Sequence, residues 1–358
     1  MNNVKHKQEM DRRSFIKSSI AAGIAGVAAT DVYSRNWPMP SDGTKQALDK
    51  RLYFKEDGTF KILQFTDTHY IAGDPRSKRA LENVNQMLDL EKPDLVIHTG
   101  DVIFGEPAEA SAREILQPIV DRKIPFAVAF GNHDEEFGKS RREMLDIVMS
   151  MPYNLNTRTD GIYGASNSVI ALDSPKDKKT RRLLYILDSN RGATIPDIPD
   201  TYGHIHFDQI AWYRKKSAEY TQKNGGKPVP AFAFFHIPLP EHEEATFDAR
   251  NGKVAGTRKE MICCPRINSG MFVSMKEMGD VQAMFVGHDH NNDYAVYWNK
   301  LFFVYGRFSG CDTVYNDLKP NGARVMEVYE ERTSFRSWIR LNGGAVTQDL
   351  HFPDDFVV

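Results

Sequence analysis

From Phe60 onward the chain alternates two hydrophobic patterns. FKILQFTD (60–67) is a continuous apolar run closing on polar residues, the mark of a strand covered on both faces. RSKRALENVNQMLDLEKP (76–93) then places Leu81, Val84, Met87 and Leu88 at helical spacing, with Pro93 as a stop. DLVIHTGD (94–101) reads as a second strand, AEASAREILQPIVDRK (108–123) as a second helix and IPFAVAFGNHD (124–134) as a third strand. This alternation with short links predicts a parallel sheet covered by helices. Right-handed crossovers put all three strand C-termini on one edge, where such sheets bind ligands.

Farther along, NSVIAL (167–172) and RRLLYILDSN (181–190) read as strands and FDQIAWYRKKSAEY (207–220) as a helix. VPAFAFFHIPLP (229–240) and VQAMFVG (281–287) are buried strands. ARVMEVYE (323–330) and SFRSWIRL (334–341) read as closing strands. No internal repeat or low-complexity tract is visible. The segment between Asp134 and His236 has to belong to the same domain, because candidate ligands before and after it must converge.

The residues that end these strands change the picture. The first strand delivers Asp67 and His69, the second Asp101, and the third Asn132, His133 and Asp134. The two later apolar runs end on His236 and on the pair His288 and His290, which share one face of an extended segment. Five of the 11 histidines fall at these positions, so the grouping is not a by-product of composition. Carboxylates, an amide and imidazoles without thiolate suit Mn, Fe, Zn, Ni or Co rather than a soft metal. Two such cations about 3.5–4 Å apart, joined by a bridging carboxylate, form a clamp for phosphoryl transfer.

The blocks DTH, GD, GNHD, FFH and GHDH occur in the order and at the approximate intervals of the calcineurin-like metallophosphoesterase superfamily, and the chain resembles it from about Phe60 to about Arg340. Longer stretches, KILQFTDTHY, EKPDLVIHTGDVIFG, AFFHIPLPE, INSGMF and MGDVQAMFVGHDHNNDY, resemble its purple-acid-phosphatase-like branch of the Dcr2 type. The resemblance implies an α/β fold: a four-layer α/β/β/α sandwich with two mixed sheets flanked by helices. It implies that Asp67, His69 and His290 hold one metal, that Asn132, His236 and His288 hold a second, and that Asp101 bridges them. His133 would contact the phosphate and act as general acid, oriented by Asp134. The implied reaction is hydrolysis of a small phosphate ester by water activated at two divalent metals. A phosphomonoester is the expected substrate, with a phosphodiesterase, or a non-catalytic metal-dependent binding protein, as the alternatives. Purple acid phosphatases proper carry a Tyr ligand three residues after the bridging Asp. Here that position is Phe104, so a divalent or Fe(II)-containing pair is expected and not an Fe(III) centre.

Other candidates are weaker. Arg76 and Arg307 follow strand-end motifs and could clamp substrate phosphate, since Arg recognises phosphate bidentately, or could serve in salt bridges. His98, inside a strand, reads as a hydrogen-bonded core residue. His204 and His206 read as loop residues near the cleft, His242 in EHEE as part of a solvated acidic turn, and Asp188 and Ser189 as a strand end near the cleft. Three cysteines, Cys263, Cys264 and Cys311, exclude a disulfide framework and leave open one bridge to Cys311.

The first 30 residues read as a twin-arginine export signal: Arg12 and Arg13 in DRRSFIK, then an apolar stretch from Ile20 to Ala29 too short to span a bilayer. Residues 31–50 read as a linker and 51–358 as one catalytic domain, periplasmic or secreted. With 46 basic and 48 acidic residues, the near-neutral chain carries no electrostatic footprint for nucleic acid, and no other run is long enough for stable membrane insertion.

Overall fold

The computed structural model describes residues 51–248 and 253–357. The export signal and linker read from the sequence lie outside the described residues. The chain enters through β1 (Leu52–Tyr53) and β2 (Thr59–Phe65), then alternates α1 (Lys78–Glu91), β3 (Leu95–His98), α2 (Ala108–Asp121), β4 (Phe126–Val128) and α3 (Arg141–Met149). Next come β5 (Ser168–Asp173), β6 (Thr180–Ile186), the hairpin β7 (Gly192–Ile195) and β8 (Ile198–Tyr202), α4 (Phe207–Lys223), β9 (Ala231–Phe234) and α5 (Glu241–Phe247). The last third holds β10 (Val254–Ala255), α6 (Met271–Met278), β11 (Val281–Val286), β12 (Ala295–Trp298) and β13 (Leu301–Tyr305). It closes with β14 (Gly322–Tyr329), β15 (Phe335–Leu341) and β16 (Val346–Phe352).

Two mixed sheets result. One runs β16-β15-β14-β2-β3-β4, with β2, β3 and β4 parallel; the other runs β1-β5-β6-β9-β11-β13-β12-β10, with β6, β9, β11 and β13 parallel. Successive side chains of a strand face opposite ways, which explains the unbroken apolar runs. In β2, Ile62 packs between the sheets while Leu63 and Phe65 pack against the helices. The inter-sheet layer adds Leu95 and Ile97 from β3 to Leu184, Phe232, Phe234 and Phe285 of the second sheet. Val84, Met87, Leu88, Ile115 and Leu116 of α1 and α2 cover the outer face of the first sheet. Tyr213 of α4 and Met271 and Met275 of α6 cover that of the second. Helices, sheet, sheet, helices is the four-layer sandwich expected. No helix among the described residues is long and apolar enough to cross a membrane.

The sequence reading omitted the β12–β13 hairpin. Its turn residues Asn299 and Lys300 both have positive φ, the conformation of a two-residue hairpin turn, but without the glycine that usually announces one. His242 is a correction. It lies in α5, fully buried, with Phe235, Phe303 and Tyr305 edge-on around it, and is not a solvated turn residue. Its Nδ1 accepts from the Leu239 backbone N–H at 3.1 Å. The expectation for His98 is met: it is buried, with Nε2 2.9 Å from the Thr68 hydroxyl. All three cysteines are free.

Burial lowers the His242 pKa from 6.5 to about 3. The unfolded chain therefore takes up a proton there between those values while the folded one does not, and stability drains away as pH falls from 6.5 towards 3. Denaturant melts across that range should show this slope, and His242→Leu should flatten part of it whatever it does to stability at neutral pH.

Candidate metal centre

The strand ends converge. Asp67, His69 and His290 form one buried group and Asp101, His236 and His288 a second, with the ligand-type atoms of each group lying within 4.8 Å of one another. Asp101 Oδ2 lies 3.5 Å from His69 Nε2 and 3.1 Å from His236 Nε2, so a single carboxylate oxygen serves both groups. Asp67 Oδ1 lies 3.8 Å from His69 Nε2 and 3.7 Å from His290 Nε2. Asn132 Oδ1 is 3.1 Å from His236 Nε2, and His288 Nδ1 is 3.2 Å from the same atom. All seven expected ligands are thereby in one place.

The backbone is bent to deliver them. Asp67 (φ 55°), His69 (φ 44°), Asp101 (φ 52°) and His288 (φ 77°) sit in the left-handed region, each at a cost of about 1–3 kcal/mol, the kind of strain that accumulates at functional sites. Close approach also dictates two glycines. A Cβ on Gly131 would run into the Asp101 carboxylate, and one on Gly287 into the Thr66 hydroxyl.

Neighbouring groups set the orientation of each ligand. His236 Nδ1 donates to the Thr99 carbonyl at 2.7 Å and His290 Nδ1 to the Tyr315 carbonyl at 2.8 Å, which turns both Nε2 atoms toward the centre. The Thr66 hydroxyl and the His288 N–H donate to Asp67, and the His133 N–H donates to Asp101 Oδ1 at 2.9 Å, leaving Oδ2 to face inward. The ion-pair partners of Asp67 and Asp101 among the described residues are all histidines. A cluster of carboxylates, an amide oxygen and inward-facing imidazole nitrogens, its carboxylates paired with no Lys or Arg among the described residues, is chemically fitted to divalent cations.

Electrostatics agree. Burial holds His288 down at about 3 and His290 at about 4, both neutral and able to ligate at neutral pH. Burial works against the His236 imidazolium too, but the adjacent Asp101 overcomes it and raises the pKa to about 9. Without cations, His236 keeps a proton where a metal belongs.

Two roles read from the sequence are corrected. Asp134 does not touch the His133 ring. Its carboxylate turns inward and accepts from the backbone N–H groups of Asp101, Val102, Ile103 and Gly131 at 2.8–3.2 Å, fixing the loop that carries the bridging ligand. The His133 ring is instead paired with Glu136, 2.6 Å from Nδ1 to Oε2, a residue the sequence reading passed over. The two candidate phosphate clamps are engaged elsewhere. Arg76 is 58% exposed and chelates Asp74, while Arg307 is buried against Asp293 and the Pro320 carbonyl. His204 and His206 stack on each other at 4.3 Å, with Tyr163 on His206 at 3.8 Å, and belong to neither ligand group. Phe104 brings a ring edge-on to His69 (5.1 Å) and no oxygen ligand.

Asp188 proves to be structural. Arg141 reaches both of its oxygens at 2.6–2.9 Å and spends its remaining donors on the Phe130 and Gly131 carbonyls, which holds the backbone leading into Asn132. Ser189 Oγ accepts from the Ile237 N–H beside His236.

A model of the family described as calcineurin-like phosphoesterase matches residues 60–292. The chain belongs to that family. Among its relatives, this phosphoesterase is 31% identical over 305 residues to "Probable inactive purple acid phosphatase 29" of Arabidopsis thaliana, covering 75% of each chain. It is 31% identical over 332 residues to the phosphatase DCR2 of Saccharomyces cerevisiae, covering 82% of this chain and 56% of that one. Its fold is similar to that of a dimetal phosphatase from Danio rerio, with a TM-score of 0.54 at 13% identity over 82% of this chain and 98% of that one. The phosphoesterase is accordingly a hydrolase of phosphoester bonds, and its two ligand groups fit a dinuclear centre.

Two outcomes follow from this geometry. Adding Mn or Zn ions to metal-free protein near pH 7 should release a proton as His236 becomes a ligand, read in a weakly buffered indicator titration, and affinity should weaken as pH falls. Arg141→Ala leaves Asp188 buried without its partner and should cost about 3–5 kcal/mol in chemical denaturation.

Proposed function

We propose that the protein is an exported, metal-dependent phosphomonoesterase. The observation that carries this reading is the convergence of two complete ligand groups on one bridging carboxylate, with a histidine at the exposed edge of the centre. Asp67, His69 and His290 would hold one cation, Asn132, His236 and His288 the other, with Asp101 shared. When bound, such a pair supplies Lewis-acid stabilisation of the phosphoryl oxygens and activates water for attack.

The remaining work falls to the chain's own groups. His133 is 30% exposed where the ligands around it are buried, and its ring lies 5.5 Å from that of His69. It is thus beside the centre yet open to substrate, suited to protonate the departing oxygen. Asp134 and Arg141 keep the loop under His133 and Asn132 from moving. Phe104, edge-on to both His69 and His133, gives the site an apolar wall and favours a divalent pair over a phenolate-bound Fe(III). Export is supported by Arg12 and Arg13 ahead of the short apolar stretch from Ile20 to Ala29.

The relatives named inactive make activity the first thing to test. Metal-stripped protein should regain hydrolysis of p-nitrophenyl phosphate when Mn, Fe(II), Zn, Ni or Co is added singly, and should do so faster than hydrolysis of bis-p-nitrophenyl phosphate. The reverse preference would identify a phosphodiesterase. On an alkyl phosphate, whose leaving group needs a proton, His133→Ala should lower turnover by about 10²–10⁴-fold while two metal equivalents stay bound. Protein that binds two equivalents yet turns over neither ester with any metal would argue for a binding role.

A further inference from the structure

The His133 side chain is 30% exposed while the ligands beside it are buried, so something has to keep its ring aimed. On one side is the edge of Phe104, 4.9 Å away with the planes at 87°. On the other is Glu136, with Oε2 2.6 Å from His133 Nδ1. The second oxygen of the same carboxylate, Oε1, lies 3.1 Å from Nη2 of Arg191, which stands just ahead of β7. The Glu136 N–H closes a turn onto the His133 carbonyl at 3.1 Å, so ring and carboxylate share one turn of backbone. His133, Glu136 and Arg191 thus form a chain of three charged or polar groups beside the metal ligands, with Arg191 54% exposed.

We infer that Glu136, and not Asp134, is the positioning residue for His133, and that Arg191 anchors Glu136. This rests on the proposed role of His133 as general acid. With Nδ1–H engaged by Glu136, Nε2 is the nitrogen left to face the substrate, and the ring cannot turn without breaking a short charge-assisted hydrogen bond. In the step itself, water forms a new P–O bond and gives up one proton to solvent, while the ester P–O bond breaks with its electron pair going to the departing oxygen. That oxygen takes the proton from Nε2. Neutral imidazole remains, its other N–H still on Glu136.

A surface ion pair of this exposure commonly contributes nothing beyond a little stability, so the test must read chemistry. A general acid matters most when the leaving group is a poor one. An alkoxide needs the proton, whereas p-nitrophenolate departs without it. The experiment therefore measures kcat and KM on p-nitrophenyl phosphate and on a simple alkyl phosphate for the metal-loaded wild type, His133→Ala, Glu136→Ala and Glu136→Gln, with metal content and melting temperature as checks.

In Glu136→Ala, kcat on the alkyl ester should fall about 10- to 100-fold, within the ~10²–10⁴-fold a general acid supplies. The aryl ester should fall much less, with KM and metal content little changed. Glu136→Gln keeps a carbonyl acceptor for Nδ1–H and should recover most of the loss. If His133→Ala shows the leaving-group-dependent loss and Glu136→Ala does not, this inference is overturned and the general-acid reading stands. If Glu136→Ala lowers both esters equally, or Gln rescues nothing, Glu136 is a surface residue and the inference is likewise overturned. If His133→Ala itself loses no more on the alkyl ester than on the aryl ester, the general-acid reading fails and this inference falls with it.

Discussion

The structure is organised around a buried cluster of carboxylates and imidazoles whose carboxylates pair with no Lys or Arg among the described residues. Burying carboxylates is costly unless something opposite in sign meets them, and here every other partner is an imidazole. The neighbourhood of the site reads as a response to that demand. Backbone N–H groups and hydroxyls take the outward oxygens of Asp67 and Asp101, carbonyls take the outward N–H groups of His236 and His290, and the inward atoms are left for cations.

Holding that arrangement accounts for features that would otherwise look like flaws. Four ligands stand in left-handed backbone, two glycines admit a carboxylate and a hydroxyl where a methyl would collide, and a buried Arg141–Asp188 pair is spent on two carbonyls of one loop. Asp134 belongs to the same support. Facing away from the substrate side, it gathers four backbone N–H groups and makes a rigid base beneath the bridging ligand.

The architecture and the ligands were legible in the sequence for one reason: strands buried on both faces write continuous apolar runs, and polar residues directly after such runs stand out. What escaped depends on where the chain turns. β12 and β13 were missed because Asn299 and Lys300 make their turn without glycine, and the short, polar β7–β8 hairpin offers no apolar run. His242 looked solvated because three glutamates surround it in α5, yet the helix turns its ring inward. The family resemblance implied Asp134 as the partner of His133. The turn sends Asp134 inward and brings Glu136, three positions on, back to the ring, which residue spacing alone could not distinguish. Arg307 was conspicuous by its motif, but its burial against Asp293 is a tertiary fact.

Each ligand group straddles the seam of the sandwich. Asp67 and His69 follow a strand of the six-stranded sheet, whereas their companion His290 follows β11 of the eight-stranded one, 221 positions from His69. The second group is divided the same way, Asp101 against His236 and His288. A cation in either group would therefore be a rivet through two layers that are otherwise joined by apolar packing and by buried hydrogen bonds such as Arg324 Nε to the Tyr305 carbonyl, and sliding one sheet over the other would lengthen its bonds. The rivet can be set only after both ends of the chain have found their layers, so a half-folded chain offers no complete socket to fill.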